Sequence, residues 1–194
     1  MRVGLFGGTF DPPHLGHWLV AVDAYEALGL DRLVFVPAAH QPLKMGHHWA
    51  TPAERLEMVR RMVADDSRFE VDPLEIERDG LSFTVDTLSE YRSRPEVSEL
   101  FFLVGADVMA SFHRWREPER VQSLATLVVL RRANHLGALP TGVEARVLET
   151  RVVDVSSTEV RARVAAGRSI RGFVPASVEA YIIAAGLYRQ RNNA

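Results

Sequence analysis

Short, unbroken apolar runs recur along this chain, alternating nearly throughout with stretches that read as helices. Val3-Gly4-Leu5-Phe6, Arg32-Leu33-Val34-Phe35-Val36, Leu100-Phe101-Phe102-Leu103-Val104 and Leu124–Leu130 hold these runs. Leu100–Val104 has no polar face at all, the mark of a strand covered on both sides within a parallel sheet. The helical stretches carry their own punctuation. Gly29 reads as a stop, Thr51-Pro52-Ala53-Glu54 as a capping box with proline at the first helical position, and Ser156-Ser157-Thr158-Glu159 as a later helix start. The helix from Thr51 is expected to turn Leu56, Met58, Val59, Met62 and Val63 inward, and Ser82–Thr87 opens another helix. Phe69–Asp72 and Leu74–Ile76 read as short strand pieces split by Pro73, and Arg151–Val155 as a further strand. Pro175 begins a final helix through Tyr181 and Ile182. No repeat and no linker interrupts the pattern, so residues 1–194 read as one domain. The alternation predicts an α/β fold: a doubly wound, Rossmann-like parallel sheet with helices on both faces and ligands at the carboxyl ends of its strands.

Composition narrows the function. The 194 residues are 47% hydrophobic and 25% charged, ordinary for a soluble globular chain that buries roughly 70% of its unfolded surface. A net charge of -2 argues against a general nucleic-acid binder, which carries a basic excess. With no cysteine, thiolate nucleophiles, disulfides and Cys-ligated zinc are excluded. The N-terminal residues show no signal-peptide pattern, and no apolar run is long enough to cross a bilayer. The expectation is a cytoplasmic protein whose partners are small molecules, with neither nucleic acid nor membrane among them; a homo-oligomer stays open.

The chemistry is concentrated in Gly7-Gly8-Thr9-Phe10-Asp11-Pro12-Pro13-His14-Leu15-Gly16-His17, between the first strand and the first helix. A glycine turn at a helix N-terminus makes an anion cradle, where backbone N–H groups and the helix dipole both favour negative charge. His14 and His17, three residues apart, share one face of the first turn and can both meet a bound phosphate. Two further strand ends carry polar groups: Gly105-Ala106-Asp107, followed by Trp115, and Ser156-Ser157-Thr158 with Arg161. Ser156–Glu159 reads equally as a plain helix cap, and Trp115 equally as a core aromatic. Two helix starts aimed at one crevice suit an extended triphosphate. His40, His47 and His48 lie in a polar loop without accompanying carboxylates and read as solvated side chains, so no protein metal site is expected.

In these pieces the chain resembles the nucleotidylyltransferase superfamily, whose mark is an H-x-G-H turn after the first strand. More narrowly it is similar to the bacterial nicotinate-mononucleotide adenylyltransferases. The resemblance rests on Gly7–Pro12 with His14 and His17, Lys44, Ser82–Thr87, Gly105–Asp107 with Trp115, Ser156–Thr158 with Arg161, and Val174–Tyr188, in order over essentially the whole chain. It implies transfer of AMP from ATP to nicotinate mononucleotide, with Mg2+ carried on the ATP phosphates and no covalent enzyme intermediate. It implies His14, His17 and Arg161 as catalytic. ATP would meet Gly7, Gly8, Thr9, Phe10, His14, Gly16, His17, Gly105, Asp107, Arg132, Ser156, Ser157, Thr158 and Arg161. The mononucleotide would meet Gly8, Thr9, Lys44, Phe83, Thr84 and Trp115. Rivals keep the fold and change the acceptor to phosphopantetheine or nicotinamide mononucleotide, change the nucleotide to CTP, or retain binding without catalysis. The chain departs from the family pattern at Arg132-Ala133-Asn134, where relatives read Arg-Pro-Gly, and at Gln41-Pro42-Leu43-Lys44, where they often read Pro-Pro-His-Lys.

Overall fold

Residues 1–41, 49–132 and 141–189 are described by the computed structural model, the side chain of Arg132 excepted. Six strands form one sheet: β1 (Arg2–Gly8), β2 (Arg32–Pro37), β3 (Phe69–Val71), β4 (Glu99–Gly105), β5 (Thr126–Arg132) and β6 (Ala145–Thr150). Their order is β3-β2-β1-β4-β5-β6, and every neighbouring pair is parallel. The helices are α1 (Leu15–Leu28), α2 (Pro52–Val63), α3 (Leu74–Arg78), α4 (Thr84–Arg92), α5 (Ala106–Met109), α6 (Pro118–Leu124), α7 (Ser157–Ala165) and α8 (Ala176–Ala184). This is the doubly wound α/β fold that the alternation predicts.

Side chains alternate across each strand, so one strand feeds two cores. Phe6, Phe101 and Leu103 pack with Ala21 and Ala24 of α1, Met58 and Val59 of α2, Val160 of α7 and Ile182 of α8. Val3, Leu5, Phe102 and Val104 pack on the other face with Val85 and Leu88 of α4 and Val121 of α6. The inward set expected of α2 is buried throughout. Among the described residues no helix is long and apolar enough to cross a membrane.

Two segments differ from the sequence reading. Leu74–Ile76, expected as strand, opens α3, because the Asp72 carboxylate accepts the Leu74 N–H at 2.9 Å and starts a helical turn. The buried member of that triplet is Glu75, the reverse of what alternation implies. Arg151–Val155 is not a strand; the last strand is β6, just before it. Arg151 leaves the ladder because Asp23 of α1 accepts both its backbone N–H, at 3.0 Å, and its Nε–H, at 2.8 Å. That tether fixes residue 151 against the second half of α1.

Candidate active site

The chain runs from β1 outward to β2 and β3, then returns to the other side of β1 as β4. The ends of β1 and β4 therefore form the switch point where such sheets bind ligands. Beyond β1, Phe10 adopts a positive φ of 51° and lays its ring over the strand end. A Cβ at Gly8 would stand 2.8 Å from Phe10 Cζ, so only glycine lets the ring come so close. The same ring meets His17 edge-on, with centroids 5.1 Å apart. The Thr9 hydroxyl is buried with no hydrogen-bond partner among the described residues.

His14 caps α1 and His17 is its third residue. The His14 backbone N–H donates to His17 Nδ1 at 3.2 Å, and the rings stack at 3.8 Å between centroids. Because Nδ1 accepts, a neutral His17 ring carries its proton on Nε2. His14 is only 4% exposed, whereas His17 is half-buried. The sequence treats the two imidazoles alike; the structure sets one inside the other. A Cβ at Gly16 would lie 2.9 Å from His14 Cε1 and Nδ1, which is why glycine sits between them. The first donor of α1, Leu15 N–H, is taken by the Phe173 carbonyl at 2.9 Å.

The start of α7 joins this turn. Ser157 Oγ donates to the Pro12 carbonyl at 2.8 Å, and Arg161 donates to the Asp11 carbonyl at 2.6 Å. Arg161 also donates to Thr158 Oγ1 at 3.2 Å, and its guanidinium lies 5.8 Å from the exposed Trp49 ring. Ser156 Oγ accepts the Glu159 N–H at 3.1 Å and so serves as the helix cap. The start of α7 thus meets residues 11–12, just ahead of the start of α1.

At the end of β4, Gly105 precedes α5 and Asp107 is exposed. Trp115 is half-buried, with Phe102 edge-on at 6.0 Å and Phe112 at 5.1 Å. Phe83 and Thr84 open α4, which has no side-chain cap. The Arg116 guanidinium stands 4.9 Å over the Phe83 ring, bringing the residue after Trp115 onto this corner. Ser82 ties the corner to β2: its hydroxyl accepts the Ala39 N–H at 2.9 Å, and its N–H donates to the His40 carbonyl at 2.9 Å. Lys44, His47 and His48 lie outside the described residues, as does the Arg132 side chain at the end of β5. Among the described residues no three His, Cys, Asp or Glu side chains gather as a metal site.

Sequence reasoning missed Asp11, Arg55 and Tyr188. Arg55 is fully buried and donates to the carbonyls of Thr9, Ala38 and Ala39 at 2.8, 2.7 and 2.9 Å. The signal was present: Arg55 falls three and four residues before Met58 and Val59, on the apolar stripe of α2. The Asp11 carboxylate accepts the Tyr188 hydroxyl at 2.7 Å and the Trp49 N–H at 2.9 Å. Burial, together with the neighbouring Asp11 carboxylate, pushes the Tyr188 phenol up, so it stays a donor.

Residues 5–163 match the model of the cytidylyltransferase-like family. A protein of Gemmatimonas aurantiaca named as a probable nicotinate-nucleotide adenylyltransferase is 54% identical over 98% of this chain and 93% of its own length. A Thermus thermophilus protein of the same name is 49% identical over 97% of this chain and 100% of its own. The solved structure of Plasmodium falciparum nicotinic acid mononucleotide adenylyltransferase complexed with NaAD superposes with a TM-score of 0.77 at 17% identity, covering 96% of this chain and 97% of that one. The last of these speaks to the fold, whereas the matched model and the near-full-length relatives decide kinship: this chain belongs to the cytidylyltransferase-like family and, within it, to the nicotinate-nucleotide adenylyltransferases.

Proposed function

We propose that this chain transfers AMP from ATP to nicotinate mononucleotide, giving nicotinate adenine dinucleotide and pyrophosphate, a step of NAD biosynthesis. The observation that carries the reading is the meeting of α1 and α7 on one loop, through Ser157 to Pro12 and Arg161 to Asp11. Two helix starts and a guanidinium then face the place where a triphosphate would lie. A phosphate oxygen of the mononucleotide attacks the α-phosphorus in line. The bond from that phosphorus to the bridging oxygen breaks, and pyrophosphate leaves with the electron pair. No protein nucleophile is needed; the work is positioning and charge neutralisation.

His17 donates from Nε2 to the phosphate oxygens, with His14 stacked on its inner side to set its plane. Ser156, Ser157, Thr158 and Arg161 face the leaving β- and γ-phosphates; a guanidinium has five N–H donors, more than its two bonds here use. The backbone of Gly7, Gly8, Thr9, Phe10 and Gly16 lets phosphates approach closely, and the Thr9 hydroxyl gains a partner. Gly105 and Asp107 meet the adenosine, and Arg132 the phosphates. Trp115 stacks on the pyridine ring, the uncapped start of α4 at Phe83 and Thr84 receives the carboxylate, and Lys44 meets the mononucleotide's phosphate. Mg2+ would come with ATP, on its phosphates and water as this ion prefers, and would supply charge neutralisation. Buried Asp11 does not fit it, since both carboxylate oxygens already accept protein N–H or O–H donors. The reaction belongs in the cytoplasm, with residues 1–194 acting as one domain.

The test is pyrophosphate release with ATP and a panel of acceptors: nicotinate mononucleotide, nicotinamide mononucleotide and phosphopantetheine. Preference for the first is expected. Turnover of phosphopantetheine alone overturns the acceptor assignment, and ATP binding without turnover on any acceptor overturns catalysis.

A further inference from the structure

We propose that Asp11, Arg55 and Tyr188 form a buried positioning unit through which α2 and the C-terminal end of the described chain hold the loop that aims His17 and Arg161. The inference rests on the adenylyl-transfer reading above and extends it to three residues whose side chains are buried and bonded to the protein itself. Arg55 is 0% exposed and Asp11 and Tyr188 are each 6% exposed. What they touch is the loop. Arg55 grips the Thr9 carbonyl on one side of Phe10, and Tyr188 grips the Asp11 carboxylate on the other. The Asp11 carbonyl is in turn the acceptor that fixes Arg161. One residue therefore couples the C-terminal tyrosine to the guanidinium proposed for the leaving phosphates.

The arrangement does more than fill space. A buried guanidinium loses its hydration, and burial pulls Arg55 below the usual arginine range against the opposing pull of Asp11. An apolar side chain in its place would leave the carbonyls of Thr9, Ala38 and Ala39 without this donor. What the polar unit supplies is direction. Three Arg55 bonds join the end of β1 to residues 38–39 beyond β2, and the Trp49 N–H adds a fourth element through Asp11. Residues 9–11 are thereby held from α2, from the residue after the 42–48 segment, from α7 and from the C-terminal end.

The experiment compares the full chain with Tyr188→Phe, which removes only the hydroxyl, and Asp11→Asn, which removes the charge at nearly constant shape. Three readouts are taken: kcat and KM for both substrates, the His17 ring resonances by NMR with and without added pyrophosphate, and the melting temperature. Both variants are expected to fold, with kcat down by about tenfold or more, KM values within about twofold, and His17 resonances displaced, the scale on which small misplacements act. Unchanged kcat and unchanged His17 resonances in a folded variant overturn the proposal, even if the melting temperature falls. If the unmodified chain makes no dinucleotide, it is the adenylyl-transfer reading that has failed. The His17 resonances then decide positioning alone: displaced supports it, unmoved overturns it. Should one variant not fold, the other is read by the same criteria.

Discussion

His14 and His17 lie nearly face to face, 3.8 Å between ring centroids and 30° from parallel, with the backbone N–H of the first bonded to the ring of the second. The stack follows from their places in α1, as cap and third residue, where three-residue spacing superposes side chains. On the proposed reading it divides the labour: the inner ring would be a support and the outer one a donor.

His17→Ala is therefore expected to lower kcat by roughly a hundredfold, the scale of losing one preorganised donor to a developing phosphate charge. The melting temperature should move little, since the ring is half-buried. Steady-state kinetics beside a thermal melt checks this. Near-normal turnover would leave His17 only the task of capping the His14 N–H.

Gly16→Ala tests the support. Alanine is the better helix former by up to about 1 kcal/mol, so helix propensity alone predicts a more stable chain. The new methyl carbon, however, would sit 2.9 Å from the His14 ring, and the ring must swing out of the stack. The expected outcome is kcat reduced by about tenfold with no rise in melting temperature. Full activity with a higher melting temperature would mean that the stack tolerates displacement.

How much of this was legible in the sequence follows from distance along the chain. The paired imidazoles are local and declare themselves by spacing, and Leu100–Val104 announces a central strand by its unbroken apolarity. Asp11, Arg55 and Tyr188 do not, because the Tyr188–Asp11 bond spans 177 residues, and only the closed fold brings such partners together. β6 was missed for another reason. It is an edge strand, and its exposed Arg146, Val147 and Glu149 leave no clean alternation, while Val153-Asp154-Val155 supplies one in a segment that Asp23 draws out of the sheet. Glu75 was misjudged because Leu-Glu-Ile reads as alternation, yet the short helix turns the carboxyl inward.

Trp115→Ala separates stacking from packing. The indole touches Phe102 and Phe112 on its inner side and is only half-buried, leaving a surface for a flat ring. KM for nicotinate mononucleotide is expected to rise about tenfold or more, within the range for base–aromatic stacking, with KM for ATP within about twofold. Equal losses for both substrates would assign the residue to the core.

Glu75 gives a prediction in pH. Its carboxyl is buried and pushed above the usual glutamate range by desolvation, against opposing hydrogen bonds from Thr87, at 2.6 Å, and from Ser82. A raised folded value means that the folded chain holds its proton after the unfolded chain has lost it. Stability from this group is complete below the ordinary glutamate value of about 4.3 and is lost as pH rises through the raised one. Glu75→Gln keeps the shape and has no proton to lose. The variant should therefore melt with the parent at low pH and above it near neutrality, by about 2–4 °C for each ~1 kcal/mol recovered in a chain of this length. Because Ser82 anchors the corner that carries Phe83 and Thr84, the same substitution should leave acceptor preference intact. Melting curves from about pH 4 to 8 decide the matter: a parent that gains on the variant with rising pH would show an ionised Glu75, stabilised by its hydroxyl partners rather than penalised by burial.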